Sequence, residues 1–417
     1  KTTAYAEQML EANRQIRWSP PEIGSGRMGE WLANNVDWAL SRDRFWGTPL
    51  PVWVNDEDAD HWHCVGGFGE LGRLAGALAK DFDPHRPGVD AITFPASQLI
   101  PGKVGTMRRV PQVMDCWFDS GAMPFAQHHW PFENRELLRE QFPADYIAEG
   151  VDQTRGWFYT LHAIGVFMSC VDQGREEALR LPPGGAYKSC LVNGLLLDAK
   201  GQKMSKRIGN IVNPDEAIGR HGADAIRWSL LAAGAAHLSR RFDDSAIEDT
   251  RRRVLGTLTA CYDFFALYTG TENWSLADYA RAPAPELRPP LDRWILARLN
   301  AATAAVHEAF RGLEPHLALR RLDAFIVDEL SNWYIRRSRR RFWGAGTASE
   351  AAAAFATLHE VLHATVRLIA PVAPFLADAL WRRLAPSEGS VHCARLPEFA
   401  PGVTTASKFA ALSLKLK

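Results

Sequence analysis

The sequence lacks several features that would by themselves place it in a class of proteins. Its six cysteines are scattered and form no C-x-x-C pair, which argues against zinc ribbons and iron–sulfur clusters and fits reduced thiols in the cytosol. No apolar run reaches the roughly 20 residues that a membrane span needs. The first residues are acidic and polar where a secretory signal needs an apolar core. We therefore expect a cytoplasmic protein with no membrane partner.

Net charge is also absent, because 48 Lys and Arg balance 48 Asp and Glu. Any nucleic-acid surface must then be a local patch rather than a field of the whole protein. Apolar material, in contrast, is abundant: 47% of the 417 residues are hydrophobic and 15 are Trp. A chain of this length and composition can bury large cores in roughly two to four domains.

The order of apolar patterns predicts an α/β region followed by an all-α region. Residues 46–142 alternate short apolar runs with Gly and Pro, around one helix near residues 70–80. Residues 143–235 alternate strand and helix, with strands at 145–147 and 188–192 and a helix at 156–170, which is typical of a doubly wound, Rossmann-like nucleotide-binding sheet. Helical spacing then continues through 292–310, 315–343 and 349–384, which predicts an antiparallel helix bundle.

A basic loop lies inside the α/β region. Lys203, Met204, Ser205, Lys206 and Arg207 follow a strand and a glycine-containing loop, and a helix begins near Pro214. Ammonium groups held near phosphate oxygens stabilise the charge that develops as pyrophosphate leaves ATP. A solvated basic turn is the other interpretation of such a cluster, so its context has to decide.

An acidic loop supplies this context, and it follows the strand predicted at 145–147. Glu149, Gly150, Asp152 and Gln153 stand between that strand and a helix that begins near Trp157. Ligands of open α/β sheets bind at the carboxyl ends of strands, where these carboxylates could accept hydrogen bonds from an ammonium group. Asp152 could instead cap the helix and Trp157 could be simple core. Together, however, the residues indicate a site for an amino acid.

These two loops and their spacing resemble the class I aminoacyl-tRNA synthetases of the isoleucine, valine and leucine group. The string Asp-Gln-x-Arg-Gly-Trp-Phe at 152–158 is most similar to the isoleucine enzymes. Further similar stretches lie at residues 37–51, 115–127 and 369–377, so the resemblance covers roughly residues 25–395. The stretches at 106–111 and 192–195 are most similar to the eukaryote-like branch, which some bacteria also carry.

The resemblance implies a domain order. It makes 1–45 a return segment from a missing upstream or editing region, 46–142 a connective mixed α/β segment, 143–235 the second half of the catalytic nucleotide-binding fold, 236–290 a helical linker and 291–400 an anticodon-binding helix bundle, with 401–417 unassigned. It also implies ATP with Mg²⁺ as cofactors, isoleucine and its tRNA as partners, and a monomer.

Site residues are carried over by the same resemblance. Glu149, Gly150, Asp152 and Gln153 would hold the amino group and ribose side of isoleucyl-adenylate, and Trp46 and Trp157 would line the isoleucine pocket. Gly194 and Met204 would lie against adenine and ribose, with Ser205 and Arg207 in the same ATP-binding loop. Lys203 and Lys206 would be catalytic and steady the triphosphate. Arg207 stands where the common pattern has Ser, which is a minor departure.

One family signature is absent, because the sequence contains no His-x-Gly-His string. His162 and His221 lie near glycines, but their spacing does not fit and a packed or capping role is expected for both. We therefore expect the chain by itself to be inactive. On a strand Cys64 points to the face opposite His61 and His63, and no second ligand pair lies nearby in the sequence, which argues against a metal site.

A basic aromatic stretch marks the helical region. Residues 332–343 place five Arg in six consecutive positions between aromatic side chains. Arg336, Arg339 and Arg340 share a helix face, which suits phosphate contacts, and Trp333 could stack on an unpaired base. A solvated helix face is the other interpretation. The resemblance, together with these features, implies ATP-dependent isoleucine–tRNA ligation within a full-length enzyme, with a catalytically silent tRNA-binding module or a valine or leucine enzyme as alternatives.

Overall fold

The structure is a computed structural model that describes residues 1–173, 181–279 and 281–400. It divides into two compact units, Lys1–Val192 and Asn193–Lys417. The boundary between them falls within the predicted segment 143–235. Each unit has hydrophobic cores of its own, so each is described by itself.

The first unit mixes short strands and helices. Its strands are β1 (Arg17–Ser19), β2 (Ser41–Arg42), β3 (Val52–Asn55), β4 (Trp62–Cys64), β5 (Thr93–Pro95), β6 (Thr106–Arg109), β7 (Val113–Met114), β8 (Ile147–Gly150) and β9 (Ser189–Asn193). Its α-helices are α1 (Ala6–Gln15), α2 (Pro21–Ile23), α3 (Gly29–Ala33), α4 (Phe68–Ala75), α5 (Cys116–Ala126), α6 (Arg135–Gln141) and α7 (Trp157–Gln173). A π-helical turn, Gly24–Met28, joins α2 to α3.

A three-stranded sheet with the order β1–β9–β8 forms the centre of this unit. Strands β1 and β9 are parallel, and Trp18 lies opposite Cys190. The central strand β9 has three consecutive buried residues, as expected for a strand that is covered on both faces, whereas β1 buries only Trp18. Trp18 packs edge-on against Phe158 of α7 at 6.0 Å between ring centroids. This parallel sheet with its helix has the predicted α/β character.

A second sheet, with the order β4–β3–β6–β5, is antiparallel. Trp53, Phe94 and Met107 are almost fully buried on one side and form a small separate core. The side chain of Arg109 is fully buried and pairs with Asp90, so that its charge is neutralised inside the protein. The sheet accounts for the loop-rich appearance of the sequence, since each strand is only three or four residues long.

The second unit is mostly helical. Its strands are β10 (Leu196–Leu197) and β11 (Arg240–Arg241), and they are parallel. Its α-helices are α8 (Pro214–His221), α9 (Ala223–Ala232), α10 (Asp244–Thr250), α11 (Gly256–Thr271), α12 (Leu276–Tyr279), α13 (Pro290–Arg311), α14 (Pro315–Ala324), α15 (Arg336–Phe342), α16 (Ala348–Ile369) and α17 (Pro374–Leu384). π-Helical segments Arg251–Leu255 and Phe325–Ile335 join α10 to α11 and α14 to α15.

One large core runs through these helices. It extends from Ala217 in α8 to Val391 and is centred on large buried side chains such as Trp228, Phe325 and Trp381. At roughly 25 cal/mol per Å² of apolar surface removed from water, such a core is the main source of stability of this unit. The predicted helical character of this region is therefore confirmed.

A buried ionic network fixes α15 to α13. Asp292 is fully buried, and its carboxylate accepts hydrogen bonds from both terminal nitrogens of Arg341 and from the hydroxyl of Tyr334, which lies 2.8 Å away. Burial raises the pKa of Tyr334 well above its ordinary value, with the Asp292 charge adding to the rise, so Tyr334 keeps the proton that it donates. The charge of Arg341 is thereby compensated.

Several helix ends differ from the predictions. The helix expected at 70–80 ends at Ala75, because Gly76 has a φ of 93° that a helix cannot continue. The helical pattern 349–384 is interrupted between α16 and α17. Pro374 cannot donate a backbone hydrogen bond there, and the Asp224 carboxylate accepts from the N–H of Leu376 at 2.7 Å.

Among the described residues, no helix combines the length and the apolar character needed to cross a membrane.

The buried network predicts a large effect of a single charge. In Asp292→Asn, Arg341 keeps a mostly buried charge without its counterion, so we expect the free energy of unfolding to fall by about 3 kcal/mol in urea titrations followed by circular dichroism. Asp249→Asn, at an exposed carboxylate, should change it by less than about 0.5 kcal/mol. The double variant Asp292→Asn/Arg341→Met should recover part of the loss, because no charge is left unpaired. Equal stability of Asp292→Asn and wild type would contradict this role.

Candidate active site

The acidic loop begins where β8 ends. A 3-10 turn, Val151–Arg155, leads from β8 into α7. Glu149 and Asp152 are exposed there, whereas Gln153 is half-buried. The Gln153 side-chain oxygen accepts a hydrogen bond from the N–H of Trp157 at 3.0 Å, and its amide nitrogen donates to Asp152 at 3.1 Å. Gln153 therefore caps the first turn of α7 and orients Asp152, which leaves the Asp152 carboxylate open to solvent.

Gly150 lies next to the exposed carboxylate of Asp152. A Cβ atom at position 150 would lie 2.6 Å from that carboxylate, so a side chain there would require the Asp152 side chain to move. Thr154 is buried behind the loop, where its hydroxyl donates to the Val151 carbonyl at 2.8 Å and accepts from Arg27 at 2.7 Å. The loop is thus held from below while its two carboxylates face outward.

The two tryptophans of the expected side-chain pocket have different surroundings. Trp157 is half-buried and its indole N–H donates to the Ser120 carbonyl at 3.2 Å. Trp46 is 65% exposed and stacks on His85 at 4.8 Å between ring centroids, with 12° between the planes. Among the described residues no ring contact joins Trp46 to Trp157. Their shared pocket stays a prediction.

The lysine loop belongs to the second unit and has a backbone fixed by two side chains. Asn210 donates to the Asp198 carboxylate at 2.9 Å and to the Lys203 carbonyl at 3.2 Å, and it accepts from the N–H of Ser205 at 2.9 Å. Asp198 also accepts from the N–H of Gln202 at 2.7 Å. These bonds form what we call the Asp198–Asn210 clamp.

The clamp depends on an ionised carboxylate. The side-chain hydrogen bond from Asn210, followed by the backbone bond from Gln202, lowers the pKa of Asp198 below its ordinary value. Because its pKa is lowered, Asp198 stabilises the loop fully at pH values above the ordinary pKa of aspartate. This stabilisation is lost as the pH falls through the lowered pKa. The clamp is therefore intact at neutral pH.

The cations of the loop point away from this framework. Lys203, Lys206 and Arg207 are exposed, and none of them forms an ion pair within the part of the chain that the structure describes. Met204 lies between them and packs on the helical core. The loop therefore presents three uncompensated charges on a backbone that is held in place, which is an arrangement suited to a polyanionic ligand.

Contacts within the second unit explain why position 194 is a glycine. A Cβ atom at this position would lie 2.4 Å from the backbone carbon of Leu238 and 2.6 Å from the His237 carbonyl oxygen. The Gly194 N–H also donates to the Ala236 carbonyl at 2.8 Å. Close approach of two backbone segments thus requires glycine here, whether or not adenine lies against it.

The basic helix presents one face to solvent. Arg336, Arg339 and Arg340 are exposed and form no ion pair with any described residue, whereas Arg341 belongs to the buried network. Trp333 is half-buried rather than open. The Arg337 guanidinium lies 3.9 Å above its ring, and Trp294 lies 6.3 Å from it between ring centroids.

The histidines considered for metal or phosphate binding have protein partners. His63 contacts Glu70 at 2.8 Å, His61 contacts Asn55 at 3.2 Å, and His221 contacts Asp244 at 2.6 Å. His162 is fully buried and donates to the Met9 carbonyl at 2.8 Å, and burial lowers its pKa to about 4, so it is neutral at physiological pH. Within the described ranges, no group of three or more His, Cys, Asp or Glu side chains could hold a metal ion.

Comparison with known families now bears on both units. A family model described as "tRNA synthetases class I (I, L, M and V)" matches residues 1–240, more than half of the chain. The chain belongs to this family. A second model, the anticodon-binding domain of tRNA ligase, matches residues 292–414.

Individual relatives of this class I synthetase chain are bacterial. An isoleucine--tRNA ligase of Thermus thermophilus is 44% identical over 100% of this chain and 38% of its own length. One of Thermobifida fusca is 46% identical over 95% of this chain and 37% of its own length. The chain therefore spans a little over a third of the length of these relatives.

Solved structures support the fold. The ternary complex of Agrobacterium radiobacter LeuRS with tRNA and LeuAMS covers 88% of this chain and 43% of its own, at 21% identity and a TM-score of 0.62. Mycobacterium tuberculosis methionyl-tRNA synthetase bound by methionyl-adenylate covers 91% of this chain and 61% of its own, at 20% identity and a TM-score of 0.57. At these identities the likeness concerns the Rossmann-like class I fold alone.

Sequence reasoning missed three side chains of these sites. Asp198 and Asn210 flank the lysine loop, and their signal was weak, because Asp and Asn near glycines are common in any turn. Arg337 is not among the predicted RNA-binding residues, although the spacing of four residues between Trp333 and Arg337 allows their contact.

The clamp can be tested through the mobility of the loop. Asn210→Ala removes the three hydrogen bonds of Asn210, and since each contributes about 1 kcal/mol, we expect trypsin to cleave after Lys203, Lys206 or Arg207 at least roughly ten-fold faster at neutral pH. Gln202→Ala is a matched control, because only its backbone contacts Asp198, and it should be cleaved at the wild-type rate. If both variants were cleaved alike, the clamp would not be what holds the loop.

Proposed function

We propose that this chain contributes to an enzyme that ligates isoleucine to its tRNA through an isoleucyl-adenylate, using ATP. The observation that carries this proposal is the identity of 41% or more with proteins named isoleucine--tRNA ligase, over 95% or more of this chain. Since the chain spans only part of their length, the reaction is proposed for the enzyme in that full-length context. The two loops supply the chemistry that such a reaction needs.

The exposed lysines of the lysine loop are placed to bind the triphosphate of ATP. When the amino acid carboxylate attacks the α-phosphate, the bond to the leaving pyrophosphate breaks and negative charge grows on its oxygens. Lys203 and Lys206 are exposed and unpaired in the described part of the chain, so they can approach those oxygens without first breaking an ion pair. We assign the larger share to Lys206 and a supporting role to Ser205 and Arg207. Mg²⁺ would arrive with ATP, held mainly by phosphate oxygens and water.

The acidic loop suits the aminoacyl part. Glu149 and Asp152 can accept hydrogen bonds from the substrate ammonium group, and Gln153 keeps Asp152 in place from behind. Gly150 leaves the backbone open to close approach, and Trp157 offers an apolar wall. No protein nucleophile is needed, because the ribose hydroxyl of the tRNA attacks the adenylate, so positioning and charge stabilisation account for catalysis.

The basic helix suits the RNA. The unpaired guanidinium groups of Arg336, Arg339 and Arg340 can contact phosphates, and the match of residues 292–414 to an anticodon-binding domain supports that assignment. We propose tRNA(Ile) as the partner and Trp333 as part of the contact surface. The proposed antiparallel bundle is supported by α13 and α14, which pack together across a three-residue connection.

Lys206 provides the test of the catalytic role. We place the chain in the framework of the Thermus thermophilus relative, replacing the matching 38% of its length, and measure isoleucine-dependent ATP–pyrophosphate exchange. Lys206→Ala should lower kcat roughly 100-fold, because a charge that acts in the transition state is removed. Lys200→Ala, in the turn before the motif, should leave exchange near the starting level. Unchanged exchange in Lys206→Ala would remove the role of this loop.

The amino acid is tested with the same hybrid. We expect kcat/KM for isoleucine to exceed that for valine by about 150-fold, which is the factor known for isoleucine enzymes, and leucine to be a poor substrate. A preference for valine or leucine would reassign the chain within the family. A hybrid that binds tRNA but catalyses no exchange with any of the three would favour the alternative of a silent tRNA-binding module.

Three finer assignments stay predictions. The stretches at 106–111 and 192–195 favour the eukaryote-like branch, although the relatives compared above are bacterial. A monomeric state and a cytoplasmic location are also proposed. The division of the chain into six segments is a proposal as well.

A further inference from the structure

A guanidinium group on the basic helix is held over an indole ring. The Cζ atom of Arg337 lies 3.9 Å from the centroid of the Trp333 ring, which is van der Waals contact between the two groups. Trp294 lies against the same indole at 6.3 Å between ring centroids and 50° between the planes. We propose that Arg337, supported by Trp333 and Trp294, is the surface on which an unpaired base of the bound RNA stacks. This inference rests on the proposed RNA-binding function and names the group that contacts a base.

The indole itself is not the open surface. Trp333 is half-buried, Arg337 covers its ring and Trp294 packs beside it, so a base could reach the Trp333 face only by displacing Arg337. Arg337, in contrast, is exposed. A planar guanidinium that lies over an aromatic ring extends that ring outward and adds a positive charge to the stack.

A base is the ligand that fits this surface. Unpaired bases of RNA stack on aromatic side chains and on Arg guanidinium planes, and the contact tolerates any base because each has a π face. Within the described residues Arg337 forms no ion pair that would compete for its face. The neighbouring exposed Arg336 and Arg340 can hold the backbone phosphates on either side of such a base. Trp294, Trp333 and Arg337 all fall inside the region matched by the anticodon-binding model.

Arg339 offers a matched contrast on the same helix. It is exposed and unpaired like Arg337, but no aromatic ring lies beneath it among the described residues. The two side chains therefore carry the same charge and differ in their support. Arg339 is expected to contact phosphate only, so replacing it should weaken binding uniformly and reduce the dependence on salt by about one unit of slope.

The test combines a substitution of each arginine with the removal of each unpaired base in turn, as in a double-mutant cycle. The 417-residue chain is titrated with an RNA hairpin that has the anticodon stem–loop sequence of an isoleucine tRNA, and with versions in which one loop base at a time is made abasic. We expect Arg337→Lys, which keeps the charge, to weaken binding of the intact hairpin roughly ten-fold and to leave the salt slope unchanged. With the hairpin that is abasic at the stacked position, wild type and Arg337→Lys should bind alike, because the contact is already lost.

The control and the contrary outcomes are separable. Arg339→Ala, which removes a proposed phosphate contact, should weaken binding of every hairpin by the same factor, so that its loss adds to the loss caused by each abasic position. The stacking role would be overturned if Arg337→Lys weakened binding of every abasic hairpin by the same factor. It would also be overturned if the effect of Arg339→Ala disappeared at one abasic position in the way expected for Arg337→Lys. Either result would leave RNA binding itself intact. If the wild-type chain bound no hairpin, both the RNA partner and this inference would fail. Urea titration of Arg337→Lys should match wild type, which separates stacking from stability.

Discussion

The buried carboxylate of Asp292 determines which side of the basic helix faces outward. Asp292 is fully buried between Arg341 and Tyr334, and the cost of leaving its charge uncompensated locks Arg341 inward. Because α15 is helical, turning Arg341 toward the core turns Arg336, Arg339 and Arg340 toward solvent. Arg337 and Trp333 lie about one and two turns before Arg341 along the same helical stretch. The arginines of this stretch therefore have two roles. Arg341 holds the helix in place, and the exposed arginines are free to bind.

The lysine loop is also held by polar side chains, but its hydrogen bonds are exposed to solvent and therefore weaker than the buried ion pair. Here a solvent-exposed clamp of Asp198 and Asn210 fixes the backbone, and it uses the polar atoms of the turn rather than the ammonium groups. Lys203 and Lys206 consequently form no ion pair with any described residue. In the acidic loop, Gln153 plays the corresponding part, since it caps α7 and leaves the Asp152 carboxylate exposed. In each case, neutral or oppositely charged neighbours position the chain while the groups proposed for binding stay uncompensated.

Much of the fold could be predicted because it depends on local patterns. Helical spacing indicated the second unit, and β-strand 9 and helix 7 fall within a few residues of the expected ranges. Helix ends were harder, because they depend on backbone geometry and distant partners: Gly76 ends α4 with a positive φ, and Asp224 caps α17 from more than 150 positions away in the chain. The site residues were identifiable from motif and spacing. Their roles in holding one another were not, since the contact of Gln153 with Trp157 or of Arg337 with Trp333 depends on side-chain orientation.

The difference between Arg337 and Arg339 shows why composition is a poor guide to binding. Both belong to one run of arginines, both are exposed, and a charge count treats them as equal. A phosphate contact requires only that the charge be near, so a flexible Arg339 suffices and Lys would replace it at little cost. A stacking contact requires a guanidinium plane that is held in place, and the Trp333 ring lies beneath Arg337 but not beneath Arg339. Conformational freedom that is lost before the RNA arrives need not be lost on binding, so the supported arginine gains affinity from its neighbour as well as from its charge.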